Sequence, residues 1–252
     1  MARSVAEFFD AIAHDYARRY DEERPFLRYM HEERLRFVLG ACAWRGCTVL
    51  DVGAGTGALY DALGERDATD GYLACDVSRA MLEQSRIPPS QRFVGAVEDA
   101  PLGARRFDRV VCLGVTTYME DPALDAFLDV VARHLSDDGR AFVTFTHARS
   151  VDARLRRRLS SALARVPIAR DLVVGRVLSQ REHAYSERAI RARVPPSLVV
   201  EQVVWQHFGV TPIKQIAPRA SVQLARVVER APLPVRRALA SDFLVVLRRA
   251  PS

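Results

Sequence analysis

The spacing of apolar residues changes period several times along the chain. From Ser4 to Leu39 it is helical. Phe8, Phe9, Ile12, Ala13 and Tyr16 form one stripe, Phe26, Leu27, Met30, Leu35, Val38 and Leu39 a second, and Pro25 breaks them into two helices. Thr48-Val-Leu-Asp-Val52 then reads as a strand that runs into the glycine-rich Gly53-Ala-Gly-Thr-Gly57, with a helical pattern behind it at Leu59, Tyr60 and Leu63. Gly71–Asp76, Arg92–Gly95, Asp108–Leu113 and Ala141–Phe145 read as further strands. Ser78 is placed to cap a helix carrying Met81 and Leu82, and Pro88-Pro89 ends it. A longer helix starts at Asp121-Pro122 and is expected to stop at a turn over Asp137-Asp-Gly139. Strand and helix alternate from 48 to 146 with short connections, which predicts a parallel, doubly wound α/β sheet.

Beyond residue 146 the alternation lapses. Leu155, Leu159, Leu163 and Val166 recur at helical spacing in an Arg-rich stretch that Pro195-Pro196 closes. Val199–Phe208 and Phe243–Leu247 are again strand-like and complete a seven-stranded, mostly parallel Rossmann-like sheet. One domain over 1–252 is expected. Its parts are an N-terminal helical lid (1–40), a ligand-binding core (48–146), an Arg-rich helical cap between the fifth and sixth strands (147–198), and the final strands (199–252).

Composition narrows this only slightly. With 252 residues, 49% of them hydrophobic, the chain can bury a core, which excludes disordered and disulfide-scaffold readings. No apolar run is long enough for a membrane helix, and the N-terminus has no signal-peptide pattern. The four cysteines form no CxxC pair and read as reduced, so a cytoplasmic protein is expected. Charge adds more. The net +6 comes from 36 Arg and the single Lys214, and residues 149–195 alone hold twelve Arg against four acids. That asymmetry is either a solvated helical face or a surface for an anionic partner.

The candidate chemistry lies in Val49-Leu-Asp-Val-Gly-Ala-Gly-Thr-Gly57. Glycines let the chain turn sharply and let a ligand approach the backbone. No Gly-Lys-Ser/Thr follows, which excludes a P-loop, and neither register of Gly-x-Gly-x-x-Gly fits, since the sixth position is Ala58 or Tyr60. Asp51 beside a pyrophosphate would repel it, but it suits a ligand bearing an amino group and a sulfonium. Asp76 closes the second strand 19 residues beyond Gly57, where a carboxylate can accept hydrogen bonds from ribose hydroxyls.

Together these residues resemble the class I S-adenosylmethionine-dependent methyltransferases. The resemblance continues through Gly95–Leu102, Phe107–Cys112 and Asp138–Val143 and covers most of residues 5–146. It implies S-adenosylmethionine as cofactor, with Asp51, Gly53, Ala54, Gly55 and Gly57 at its methionine end, Asp76 on the ribose, Val77, Val97 and Glu98 around the adenine, and Leu113 beside the methionine portion. Many relatives carry Asp where this chain has Ala96, a contact that is either missing or supplied by Glu98. Phe9-Asp-Ala-Ile-Ala-His-Asp-Tyr16 resembles the lead-in of the quinone-biosynthesis-like group, which implies that Tyr16 folds over the cofactor. The alternative is an ordinary packed helix.

Methyl transfer from a sulfonium needs alignment, exclusion of water and, for a hydroxyl acceptor, a base. No spacing suggests a metal site. Ligands sit at the carboxyl ends of strands in such sheets, which puts Tyr118 and His147 forward: Tyr118 for acceptor contact, His147 as general base or as a loop histidine tied to backbone. His183 and Tyr185 resemble the His-x-Tyr-Ser stretch that borders the substrate pocket in related enzymes. His14, His31, His134 and His207 read as structural. The expected acceptor is a small molecule methylated at oxygen, in secondary-metabolite or cofactor biosynthesis. The Arg-rich segment leaves open a peripheral membrane contact or an RNA- or lipid-directed enzyme. The absence of an RNA-binding motif weighs against nucleic acid. A non-catalytic cofactor-binding protein is a further alternative.

Overall fold

The computed structural model describes residues 4–16, 24–64, 71–162 and 183–251. Seven strands form one sheet in the order β3-β2-β1-β4-β5-β7-β6. They are β1 (Thr48–Val52), β2 (Gly71–Asp76), β3 (Arg92–Val94), β4 (Phe107–Cys112), β5 (Leu135–Thr146), β6 (Leu198–Gln206) and β7 (Asp242–Arg249). The first five are parallel, and β7 runs antiparallel to both β5 and β6. This is a doubly wound, Rossmann-like sheet. Buried apolar clusters line both of its faces: Leu50, Val110, Phe127 and Phe145 on one, Val49, Tyr72, Val111 and Phe142 on the other. The strands are therefore continuous apolar runs, as a sheet covered on both sides requires.

Ten helices flank the sheet among the described residues: α1 (Val5–Tyr16), α2 (Pro25–Gly40), α3 (Ala58–Leu63), α4 (Arg79–Glu83), α5 (Asp121–His134), α6 (Val151–Ala162), α7 (Glu187–Arg193), α8 (Ile213–Ile216), α9 (Pro218–Val228) and α10 (Leu233–Leu239). Ser78 caps α4 by accepting from the Met81 amide at 3.2 Å. The continuation of the Arg-rich repeat through Leu163 and Val166 falls outside the described residues.

Two expectations are corrected. Asp137-Asp138-Gly139 is not the turn that ends α5, because the chain passes from helix to strand at Leu135. Phe107 pairs with Leu135 and Arg109 with Arg140, so the three residues are absorbed as a bulge inside β5. A Cβ at position 139 would lie 2.9 Å from Leu135 Cδ1 and 3.0 Å from the Phe107 carbonyl, so only glycine fits there. The second correction concerns 199–252, which is not strands alone. Helices α8, α9 and α10 intervene between β6 and β7.

The N-terminal half is fastened to the far end of the sheet by a buried polar knot. Asp242, at the start of β7, accepts from Arg34 Nη2 of α2 at 2.5 Å and from His207 Nδ1 at 2.9 Å. His207 itself follows β6 at φ +61° and places its Nε2 2.9 Å from the Met30 carbonyl. Burial alone would raise the Asp242 pKa, but the hydrogen bond from His207 and the Arg34 guanidinium hold it far below the usual carboxylate range. Removing the carboxylate leaves Arg34 without its counter-charge and His207 Nδ1 without its hydrogen-bond partner. We expect Asp242→Ala to cost about 3–5 kcal/mol and Asp242→Asn to cost less, as read from urea denaturation. Equal stabilities for Asp242→Ala and the parent would disprove the fastening role.

Candidate active site

The glycine turn works as local chemistry dictates. Gly53, Gly55 and Gly57 take φ of +71°, +55° and +83°, a region side-chain-bearing residues avoid. The Gly53 and Ala54 amides both donate to the Cys75 carbonyl, folding the loop back over the end of β2. Asp76 then holds the loop's middle. Its Oδ2 accepts from the Gly55 amide at 2.8 Å and its Oδ1 from the Ser78 amide at 2.8 Å. Each oxygen keeps a lone pair for a ligand hydroxyl. A Cβ on Gly55 would meet nothing within 4 Å, so the turn faces open space.

That space is a cleft of about 350 Å³ at the carboxyl ends of β1, β2 and β4. Its floor holds Gly53, Gly55 and Asp76, with Val77, Val97, Glu98 and Leu113 along the walls. Ala96 lies here too, in the position where an acid was sought, with Glu98 nearby in the same wall. Helix α1 lies over the cleft and contributes Phe9 and Tyr16. Asp10 of that helix fastens it, accepting from the Ser78 hydroxyl at 2.6 Å and the Ala80 amide at 3.0 Å. The Ser78 hydrogen bond is also the main reason its pKa lies below the usual value. The lead-in motif contains Asp10 but gives it no role, since its partners lie some seventy residues away.

Beside the cleft, sharing Tyr16, Gly53, Gly55, Leu113 and Gly114 with it, is a side pocket of about 290 Å³. Asp51, Ala54, His31 and Arg34 line it. Asp51 is 5% exposed and accepts one hydrogen bond, from the Tyr72 hydroxyl at 2.6 Å. Desolvation pushes its pKa up to about 7. Arg34 Nε is buried with no hydrogen-bond partner among the described residues. The pocket thus offers a carboxylate for an ammonium and the Arg34 guanidinium for a carboxylate. That set fits the zwitterionic end of an amino acid, while Asp76 fits vicinal hydroxyls and the apolar walls fit a base.

A third cavity, of about 450 Å³, adjoins the cleft through Phe9, Tyr16, Gly114 and Tyr118. Thr116, Thr144, Thr146, His147, Arg156 and Lys214 are among its other lining residues. His147 is buried against Trp205, ring centroids 4.9 Å apart, with Nδ1 3.1 Å from the Ala240 carbonyl. A carbonyl can only accept, so Nδ1 carries the proton and Nε2 keeps its lone pair. Burial holds its pKa below the ordinary histidine value.

Three sequence-marked residues lie apart from these cavities. Gly57 begins α3 and packs on Ser85 and Ile87, where a Cβ would come within 2.9 Å of Ser85 Cβ. Its role is helix packing instead of ligand contact. Tyr185 is buried against Phe145, its hydroxyl turned to the Met119 carbonyl at 3.2 Å and Asp121 at 3.3 Å. Its hydrogen-bonding capacity serves the core, which replaces the expected substrate contact. The His183 amide donates to the Thr117 carbonyl at 2.7 Å, and its side chain lines none of the three spaces.

An open α/β sheet with a glycine turn, a ribose-suited acid and a zwitterion pocket at its strand ends defines a nucleoside-binding protein of the Rossmann-like class. Residues 49–139 match the methyltransferase-domain family. The ubiquinone biosynthesis O-methyltransferase of Pseudomonas paraeruginosa is 31% identical over 120 residues, 46% of this chain and 51% of that protein. The chain thus spans about half the length of the curated relatives it matches. Magnesium protoporphyrin IX methyltransferase from Synechocystis PCC 6803, solved with SAH bound, shares the fold at TM-score 0.65 and 13% identity, 98% of each chain covered. A Haloferax volcanii chain solved in complex with the Trm112 methyltransferase activator does so at 0.64 and 19%, over 100% of both chains. Residues 49–139 are thus a methyltransferase domain, of the kind that takes S-adenosylmethionine as its cofactor.

Asp51 gives this assignment a pH signature. With a folded pKa of about 7 against 3.8 for the free side chain, the folded state holds a proton that the unfolded chain has released. Stability is therefore lost as pH rises from about 4 to 7 and stays lower above it. We expect Asp51→Asn to melt several degrees higher than the parent above pH 7 and alike below pH 4. The same variant should bind S-adenosylhomocysteine more weakly and lose the parent's fall in affinity as pH drops through 7. Unchanged affinity across that range, measured by calorimetry, would remove Asp51 from the site.

Proposed function

We propose that the chain transfers a methyl group to a hydroxyl oxygen of a small molecule held in the cavity beneath His147. The reaction would belong to the biosynthesis of a cofactor or secondary metabolite. The observation that carries this reading is the shared wall: Phe9, Tyr16, Gly114 and Tyr118 border both the cofactor cleft and the cavity holding His147. The names of the ubiquinone O-methyltransferase relatives point the same way, toward oxygen.

Bound S-adenosylmethionine supplies an electrophilic methyl carbon on a sulfonium. The chain's own residues then have three tasks. Asp76 orients the ribose, while Asp51 and Arg34 hold the two charges of the amino-acid end, fixing where the methyl group points. Phe9, Tyr16 and Tyr118 pack edge-to-face, Phe9 to Tyr118 at 5.2 Å and Phe9 to Tyr16 at 6.1 Å. This aromatic partition excludes water from the transfer path. His147 Nε2 removes the acceptor hydroxyl proton while Nδ1–H stays on the Ala240 carbonyl, which fixes the tautomer. Its lowered pKa keeps it neutral, and so able to accept a proton, at physiological pH.

The test begins with titration of S-adenosylhomocysteine into the parent and Asp76→Ala, where binding should be present and lost. Hydroxylated aromatic acceptors are then screened for methyl transfer. With an accepted substrate, His147→Asn should lower kcat about a hundredfold and leave S-adenosylhomocysteine affinity intact. The parent's acid limb should fall below the ordinary histidine range and be absent in the variant. Full activity in His147→Asn would assign the proton to another group, and methylation only at nitrogen or carbon would overturn the oxygen assignment.

A further inference from the structure

The helices between β6 and β7 expose more aliphatic surface than packing requires. On α9, Ser221, Ala225 and Val228 are buried, yet the flank beside them is apolar as well: Ala220, Leu224 and Val227 follow one another at helical spacing, with Arg219 and Arg226 on the side away from the core, and Val227 is 68% exposed. Ile216, 68% exposed, sits one turn before this stripe, and Leu233 and Val235 of α10 are also exposed. Residues 213–239 contain six cations, Lys214, Arg219, Arg226, Arg230, Arg236 and Arg237, against the single acid Glu229. Arg219, Arg226 and Arg230 form no ion pair among the described residues, while Glu229 is committed to the Tyr29 hydroxyl at 2.8 Å. Exposed aliphatic residues bordered by free arginines are not explained by the folded chain itself.

We infer that the α8–α10 face docks reversibly on a lipid bilayer carrying anionic headgroups. The arginines suit phosphates, and the aliphatic stripe suits the boundary just beneath them. Two other occupants fit less well. A two-fold contact between copies would set this face against itself and bring arginines together with no carboxylate to separate them. A nucleic acid would answer the charge but leave Ile216, Leu224 and Val227 without partners, and the stripe has no aromatic residue on which bases could stack. The face also adjoins the acceptor cavity. Lys214, between Ile213 and Gln215 on α8, lines that cavity and pairs with Asp152 at 2.6 Å. This site differs from the Arg-rich segment before Pro195 that the sequence had suggested for membrane contact.

Vesicle co-sedimentation of the full chain tests the inference, with phosphatidylcholine vesicles alone and with phosphatidylglycerol added, at low and high salt. Binding should require phosphatidylglycerol and weaken with salt. Replacing Arg219, Arg226 and Arg230 together with Gln should weaken it about a hundredfold, and Val227→Glu should abolish it. Both variants should keep the parent's melting temperature and S-adenosylhomocysteine affinity, since none of the four residues borders the cofactor cleft. No binding to phosphatidylglycerol vesicles at low salt, or binding that both variants retain, would overturn the proposal. A concentration-dependent dimer broken by Val227→Glu would also overturn it, in favour of self-association.

Discussion

The carboxylate of Asp242 is the interaction on which the arrangement of the site depends. It is buried at the tip of β7, where an unpaired charge would not survive, so it holds Arg34 and His207 close. Arg34 is thereby fixed where it borders both the side pocket with Asp51 and the cavity with His147. Glu33, the next residue, is buried as well, and its Oε2 accepts from the His207 amide at 3.2 Å. Desolvation raises its pKa despite the nearby histidine. Helix α2 is therefore positioned against the end of the sheet by directional bonds, with Phe26 and Tyr29 packing below them. Apolar packing alone tolerates sliding and would not set the placement of Arg34 so closely.

A second fastening acts on the opposite wall. Asp76 and Ser78 sit two residues apart, and each faces a different element. Asp76 holds the glycine turn, while Ser78 both caps α4 and donates to Asp10 of the overlying helix α1. Floor and cover of the cleft are thus referenced to one short stretch of backbone at the end of β2. The Asp10 bonds are at most partly shielded from solvent and individually weak, so they add little to the hold on α1.

What the sequence revealed was local. The glycine turn, Asp51, Asp76 and the Ser78 cap are read within a few residues of one another, because strand, turn and helix chemistry is short-range. The partners of Asp10, Arg34 and Asp242 were not legible, since Arg34 and Asp242 are 208 residues apart and no periodicity records such pairing. Asp137-Asp138-Gly139 misled for a different reason. Its turn chemistry is real, but pairing of Leu135 with Phe107 on one side and Arg140 with Arg109 on the other leaves it only a bulge to form. Helices α8–α10 were missed because Pro212, Pro218 and Pro232 cut their periodicity into pieces too short to register. Tyr185, marked by resemblance, is buried with its hydroxyl on the Met119 carbonyl and Asp121, contacts that no local pattern records.

Asp51 and Asp242 are both buried aspartates at sheet ends, and physics treats them oppositely. Asp242 meets a hydrogen bond from His207 and the Arg34 guanidinium, which overcome its desolvation and pull its pKa down. Asp51 meets only a phenol, so desolvation wins and its pKa rises. A fold under selection for stability alone would not keep the second arrangement, because a buried acid with one neutral partner costs free energy at neutral pH. The cost becomes intelligible once a positively charged ligand completes the environment of Asp51 as Arg34 and His207 complete that of Asp242. The asymmetry separates an acid that holds the fold from one that, under the function proposed above, would meet the ammonium end of the cofactor at the end of β1.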